Sequence, residues 1–163
     1  VIILHAIIAA NKAEWEFAGA IGRISDELKV KEIISLEGVG SAEESEETRV
    51  FYYANEEKNA KLFEKAGISP LKEGIIIGVT GAVLLRVKNV PISCLFVETH
   101  SNLPDSKAAA KIVEALDKYL GMNIDYKPLL QQAEAFEQKL KTIMQKSQEA
   151  QEISDKKKLS YFG

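Results

Sequence analysis

The chain has one cysteine, Cys94, and two histidines in 163 residues. A lone thiol excludes an internal disulfide framework and a four-cysteine zinc site, and it fits a reducing, cytosolic setting. With no HExxH or CxxC pattern, a dedicated metal site has no support in the sequence. No apolar run approaches the ~20 residues needed to cross a bilayer. Surplus basic charge is lacking too. The 21 Lys and Arg against 24 Asp and Glu leave a net charge of −3, which argues against a nucleic-acid-binding face. The opening VIILHAIIAA is apolar, yet it has no basic n-region and runs straight into charged residues, unlike a signal peptide. It also has no Met at position 1 and starts inside what reads as a buried strand, so a preceding segment is expected.

What remains is globular in kind: 46% hydrophobic and 28% charged residues exclude wholesale disorder, and the length suits one domain with a single core. Val1–Leu4 reads as a buried strand. Trp15, Ala18, Ile21, Ile24 and Leu28 recur at helical spacing, giving a helix over 12–28. Strands are expected at 32–36, 50–54, 74–79 and 91–98, the third because GIIIGV is continuously apolar. Helices are expected at 56–66, 82–87 and 106–120, with an acidic loop, SAEESEE, at 41–47. Strands alternating with helices predict an α/β fold, a three-layer sandwich with a mostly parallel sheet. On this reading 1–124 is the core domain and 125–151 a long C-terminal helix with Pro128 in its first turn. Residues 152–163 form a flexible tail. Along the last helix Leu129, Ala133, Phe136, Leu140 and Ile143 form a coiled-coil-like seam, which lies either on the domain or against a second subunit.

Chemistry has few places to sit. GVTGA, at 78–82, joins a strand to a helix, where backbone N–H groups of Gly78, Thr80 and Gly81 could hold a phosphate. The same glycines equally suit a tight turn. At the end of the strand 91–98, Glu98 and His100 could share one side of an extended segment as a general acid/base pair, or belong to a strand end and helix entry. Cys94 reads as a buried, inert thiol, and His5 as a strand-end hydrogen-bonding residue. No cofactor is expected.

Three blocks carry a resemblance: KVKEIISLEGVG, GVTGAVLL and CLFVETHSNLPDSKAAAKIVEALDKYLGMNIDYKPLLQQAE. Together they resemble the archaeal and actinobacterial homologues of the eukaryotic proteasome assembly chaperones, over roughly 1–146. That resemblance implies a nucleoside-phosphorylase-like α/β sandwich, a homo-oligomer, and a cytoplasmic role with the proteasome core particle rather than a reaction. It also gives meaning to the terminal KKKLSYFG. Proteins that dock on the core particle often end in a hydrophobic residue, a tyrosine and a free last residue, which enter a pocket between adjacent α-subunits. By resemblance Tyr161 is the hydrophobic position, Phe162 stands where tyrosine is usual, and Gly163 is last, with Leu159 in support. Phe162 keeps the ring but lacks the phenolic hydroxyl. The resemblance thus implies an ATP-independent assembly chaperone or activator. The alternative is a phosphorylase-like enzyme or ligand-binding oligomer using the GVTG turn and Glu98 with His100.

Overall fold

The computed structural model describes residues 1–5, 12–40, 48–99 and 105–160, with the side chains of 129, 132, 137 and 147–160 outside the description. The elements follow in chain order as α1 (Glu14–Glu27), β1 (Ile33–Gly40), β2 (Val50–Ala54), α2 (Glu57–Lys65), β3 (Ser69–Pro70), α3 (Gly78–Arg86), β4 (Ile92–Thr99), α4 (Ser106–Leu120) and α5 (Lys127–Ser160). The four strands form one sheet in the order β1-β4-β2-β3.

β4, the last strand in sequence, is at the sheet's centre. Ile92 pairs with Ile33 of β1 in parallel, and Cys94 with Tyr53 of β2 in antiparallel. An interior strand covered on both faces needs apolar side chains in both directions, and ISCLFVE is buried from Ile92 to Glu98. One face carries Ile92, Cys94 and Phe96 under Ala18 of α1 and Ala82 and Val83 of α3. The other carries Leu95, Val97 and Tyr52 under Phe63 of α2 and Ala108, Ile112 and Ala115 of α4. Burial of such apolar side chains, about 1.5–3 kcal/mol for each large one, is what holds the layers together.

The sheet is mixed: two of its three pairings, β1 with β4 and β2 with β3, are parallel, but β2 runs against β4. Three expectations need correction. Val1–Leu4 is not a strand; its side chains are between 64% and 89% exposed. The strand foreseen at 74–79 is absent. Gly78 and Val79 belong to α3, and Ile75 and Ile77 project into solvent at 92% and 76% exposure. A short apolar run does not distinguish a strand from an approach to a helix. Here the chain folds back so tightly that a Cβ on Gly81 would lie 2.8 Å from the Ile76 carbonyl oxygen. Last, α5 runs past Gln151 to Ser160, through EISDKKKLS, which has neither glycine nor proline to stop it.

Candidate functional site

The polar groups inside the molecule are engaged with one another. Glu32, just ahead of β1, accepts three hydrogen bonds on one carboxylate. Oε1 takes Asn59 Nδ2 of α2 at 2.8 Å and the hydroxyl of Ser93 in β4, while Oε2 takes Tyr119 Oη of α4 at 2.8 Å. Beside it, Phe63 is stacked between Tyr52 and Tyr119, with ring centroids 5.0 and 3.8 Å away. Burial first, and then the Glu32 carboxylate, push the Tyr119 phenol well above its ordinary range. Lys31, Lys58, Leu62 and Leu120 complete a shallow, open depression of about 510 Å³ over this cluster. Its carboxylate already has three donors, so the cluster latches four elements together and leaves little acceptor capacity for a ligand.

The residues of the candidate phosphate turn and acid/base pair are placed differently from what either chemistry requires. Thr80 is buried, and its hydroxyl is 2.6 Å from Ser35 Oγ of β1. Gly78 has φ +70°, a left-handed conformation that favours glycine, and Gly81 is pressed against backbone. Sterics therefore account for both glycines of the turn. Glu98, 6% exposed, forms a fork with Arg49: Nε reaches Oε2 at 2.8 Å and Nη2 reaches Oε1 at 2.7 Å. The guanidinium also lies over the Phe51 ring, 5.8 Å from its centroid. A bidentate pair of this kind engages both carboxylate oxygens, which ill suits Glu98 to act on a substrate. His100 lies outside the described residues, and His5 is exposed. Cys94 is fully buried, and burial, reinforced by Glu37, pushes its thiol up to about 12.

Among the described residues no buried side-chain nitrogen or oxygen lacks a hydrogen-bond partner, and no group of three metal-ligating side chains occurs. No helix there is long and apolar enough to cross a membrane. What the surface does present is apolar. On α5, Phe136 is 59% and Ile143 63% exposed, Ala133 is exposed, and Leu140 is half-buried. The seam expected from the sequence thus faces outward at most of the positions described; the Leu129 side chain is outside the description. Leu159 lies within α5, and its side chain is not described. Tyr161, Phe162 and Gly163 lie outside the described residues. Sequence reasoning missed Glu32 and Arg49, whose partners are 27 or more residues away. A charged residue immediately ahead of an apolar strand was the one signal available for either.

The model of the PAC2 family matches residues 1–144. Among solved structures, PbaA of Pyrococcus furiosus, an archaeal homologue of proteasome-assembly chaperone, is 30% identical with a TM-score of 0.71 over 91% of this chain and 66% of its own. A protein of unknown function from Thermoplasma acidophilum is 29% identical, with a TM-score of 0.67 over 88% of this chain and 60% of its own. PbaB of Pyrococcus furiosus, an archaeal proteasome activator, shares the fold at 23% identity and a TM-score of 0.68, over 83% of this chain and 59% of its own. The chain spans just under two thirds of PbaA and less of the other two. No curated protein matches it.

Proposed function

The chain belongs to the PAC2 family, and from that membership we propose that it is a cytoplasmic, non-enzymatic partner of the proteasome core particle. The observation that carries this reading is the likeness to PbaA, at 30% identity over 91% of this chain. The fold is read as nucleoside-phosphorylase-like, turned from catalysis to binding. Its Thr80 hydroxyl and Glu98 carboxylate are engaged within the protein, which lends no support to the phosphorylase-like alternative.

In the proposed mechanism the anchor is the end of the chain. Tyr161 and Phe162 bring two rings and Gly163 a carboxylate to a pocket between α-subunits, with Leu159 behind them. Phe162 packs as a ring and leaves unmade the hydrogen bond a tyrosine hydroxyl would form, a loss of about 1 kcal/mol per site where its partner stays unpaired. A single three-residue anchor binds weakly. Joining several through a homo-oligomer raises the affinity by effective concentration, and the outward apolar residues of α5, Phe136 and Ile143, are the contact we assign to that oligomer. Docked tails open or order the α-ring to the extent that they bind one of its conformations better.

Peptide hydrolysis by an archaeal core particle, with the intact chain and with 161–163 deleted, tests the reading. Stimulation that vanishes with the deletion identifies an activator. Tail-dependent co-migration with α-subunits, without stimulation, identifies an assembly factor. If neither binding nor stimulation occurs, the proteasome reading fails.

A further inference from the structure

α1 is apolar on more than the side its own domain uses. Ala18 lies in the core. Gly19 and Gly22 bring the helix against the end of α3, where a Cβ on Gly19 would meet the Arg86 guanidinium at 3.2 Å and one on Gly22 a Val87 methyl at 3.3 Å. On the side turned away from α3, Phe17, Ile21, Ile24 and Leu28 recur at spacings of four, three and four, the repeat of a helix–helix seam. Ile21 is half-buried against the core. Phe17, Ile24 and Leu28 are 41%, 41% and 53% exposed. α5 presents a row of the same kind, Ala133, Phe136, Leu140 and Ile143, spaced three, four and three and exposed except for half-buried Leu140.

The two rows match in length and in charge. At 1.5 Å per residue, 17–28 spans about 16 Å and 133–143 about 15 Å. α1 carries Glu14, Glu16, Asp26 and Glu27 against Arg23 alone, and Glu27 immediately precedes Leu28. From Gln138 to Gln148, α5 carries Lys139, Lys141 and Lys146 and no acidic residue. Lys139 and Lys146, two turns apart, flank the row beside Leu140 and Ile143. Among the described residues none of Glu27, Lys139 and Lys146 forms an ion pair. Two α1 helices would set acid against acid, and two α5 helices lysine against lysine, so charge favours the mixed pair. Within one chain the rows do not cover each other. α1 lies on the sheet face of Cys94 and Phe96, whereas α5 packs against α4, on the face of Leu95 and Val97.

We propose that α1 is the docking surface for α5 of a second copy. Phe17, Ile21, Ile24 and Leu28 pack on Ala133, Phe136, Leu140 and Ile143 of the other chain, and Glu27 and the two lysines meet at the rim of the contact. The inference rests on the oligomer contact assigned above to α5 and supplies the other half of it. Because the two surfaces differ, the contact is either made twice across a two-fold axis or repeated around a ring.

Sedimentation of the chain alone, with no proteasome present, tests it. Ile24→Glu with Leu28→Glu should raise the dissociation constant by roughly tenfold or more, as Phe136→Glu with Ile143→Glu does, with the melting temperature of the domain nearly unchanged. Each variant loses one half of the contact and keeps the other. An equimolar mixture of the two should therefore form a dimer that neither forms alone. A mixture no larger than its parts overturns the proposal, because α5 would then pair with itself or with another surface. An α1 variant that associates like the wild type overturns it too, and leaves the α5 contact standing. A wild-type chain that stays monomeric at every concentration overturns both. If the α1 double variant does not fold, the exposed charge decides. Glu27→Lys should weaken association, and Lys139→Glu with Lys146→Glu in the same chain should restore it; a Glu27→Lys chain that associates like the wild type overturns the pairing.

Discussion

Glu32 holds α2, β4 and α4 to the start of β1 through two oxygen atoms, so its substitution should be felt far beyond one contact. Glu32→Ala strands the buried donors of Asn59 and Ser93. It should lower the unfolding free energy by about 3 kcal/mol, given 1.5–3 kcal/mol for hydrogen bonds to a charged group. Glu32→Gln retains an acceptor and the shape, and should lose about 1 kcal/mol. Denaturant midpoints at constant m-value measure both, and a neutral Glu32→Ala would show that the latch contributes nothing. Cys94 gives a pH signature. Its folded pKa of about 12 lies above the roughly 8.5 of an exposed thiol, so its contribution is whole below pH ~8.5 and is lost as pH rises toward 12. Cys94→Ala should flatten the alkaline decline of stability, and iodoacetamide should label the wild type only as it unfolds. At this scale the sequence showed that Glu98 closes a buried strand, but not that Arg49 neutralises it, since nothing local links residues 49 positions apart.

α4 is the element most legible in the sequence, because every signal is local. Asp105 caps it by accepting the Ala108 N–H at 2.9 Å, and the helix ends at Gly121. Asp105→Ala should cost about 1 kcal/mol, read from thermal unfolding. Glu114 lies between Lys118 at 2.7 Å and Lys111 at 3.1 Å. Its pKa is lowered, by Lys118 first and then Lys111, while that of Lys118 is raised by Glu114. The carboxylate's contribution is present above the ordinary glutamate range and lost as pH falls below it. The ammonium's is present below the ordinary lysine range and lost as pH rises above it. Glu114→Gln should therefore cost a few tenths of a kcal/mol near neutrality and nothing at pH 3, by comparison of unfolding curves at the two values. The segment at 74–79 was misread for the opposite reason. Its run of isoleucines carries no period, and the contact that decides its path, Gly81 on the Ile76 carbonyl, is visible in three dimensions alone.

For the molecule as a whole, alternation of strands and helices revealed the α/β class and helices on both faces, while strand order and the reversal of β2 were not readable. Direction in a sheet depends on which strands meet, and β2 meets β4 across the 37 residues between Ala54 and Ile92. The family was legible because whole blocks of sequence matched. The proposed anchor, Tyr161 and Phe162 ahead of Gly163, is read from the sequence alone, and its docking is a matter for binding measurements. The outward row on α5 gives a prediction at this scale. Phe136→Glu combined with Ile143→Glu should lower the mass measured by analytical ultracentrifugation while leaving the melting temperature of the domain nearly unchanged. An unaltered mass would remove α5 from the oligomer contact.

β4 also fixes a timetable. The two strands that flank it, β1 and β2, are made first, but neither pairs with the other; each pairs with β4. During synthesis the nascent chain carries β1 unpaired, and β2 with no more than the two residues of β3 beside it, until residues 92–99 have left the ribosome, and the sheet then closes from its middle outward. A high proportion of such distant pairings slows folding and leaves hydrophobic strands open to wrong partners in the interval. A chaperone homologue with this topology would itself be a customer for nascent-chain protection, up to the moment its central strand emerges.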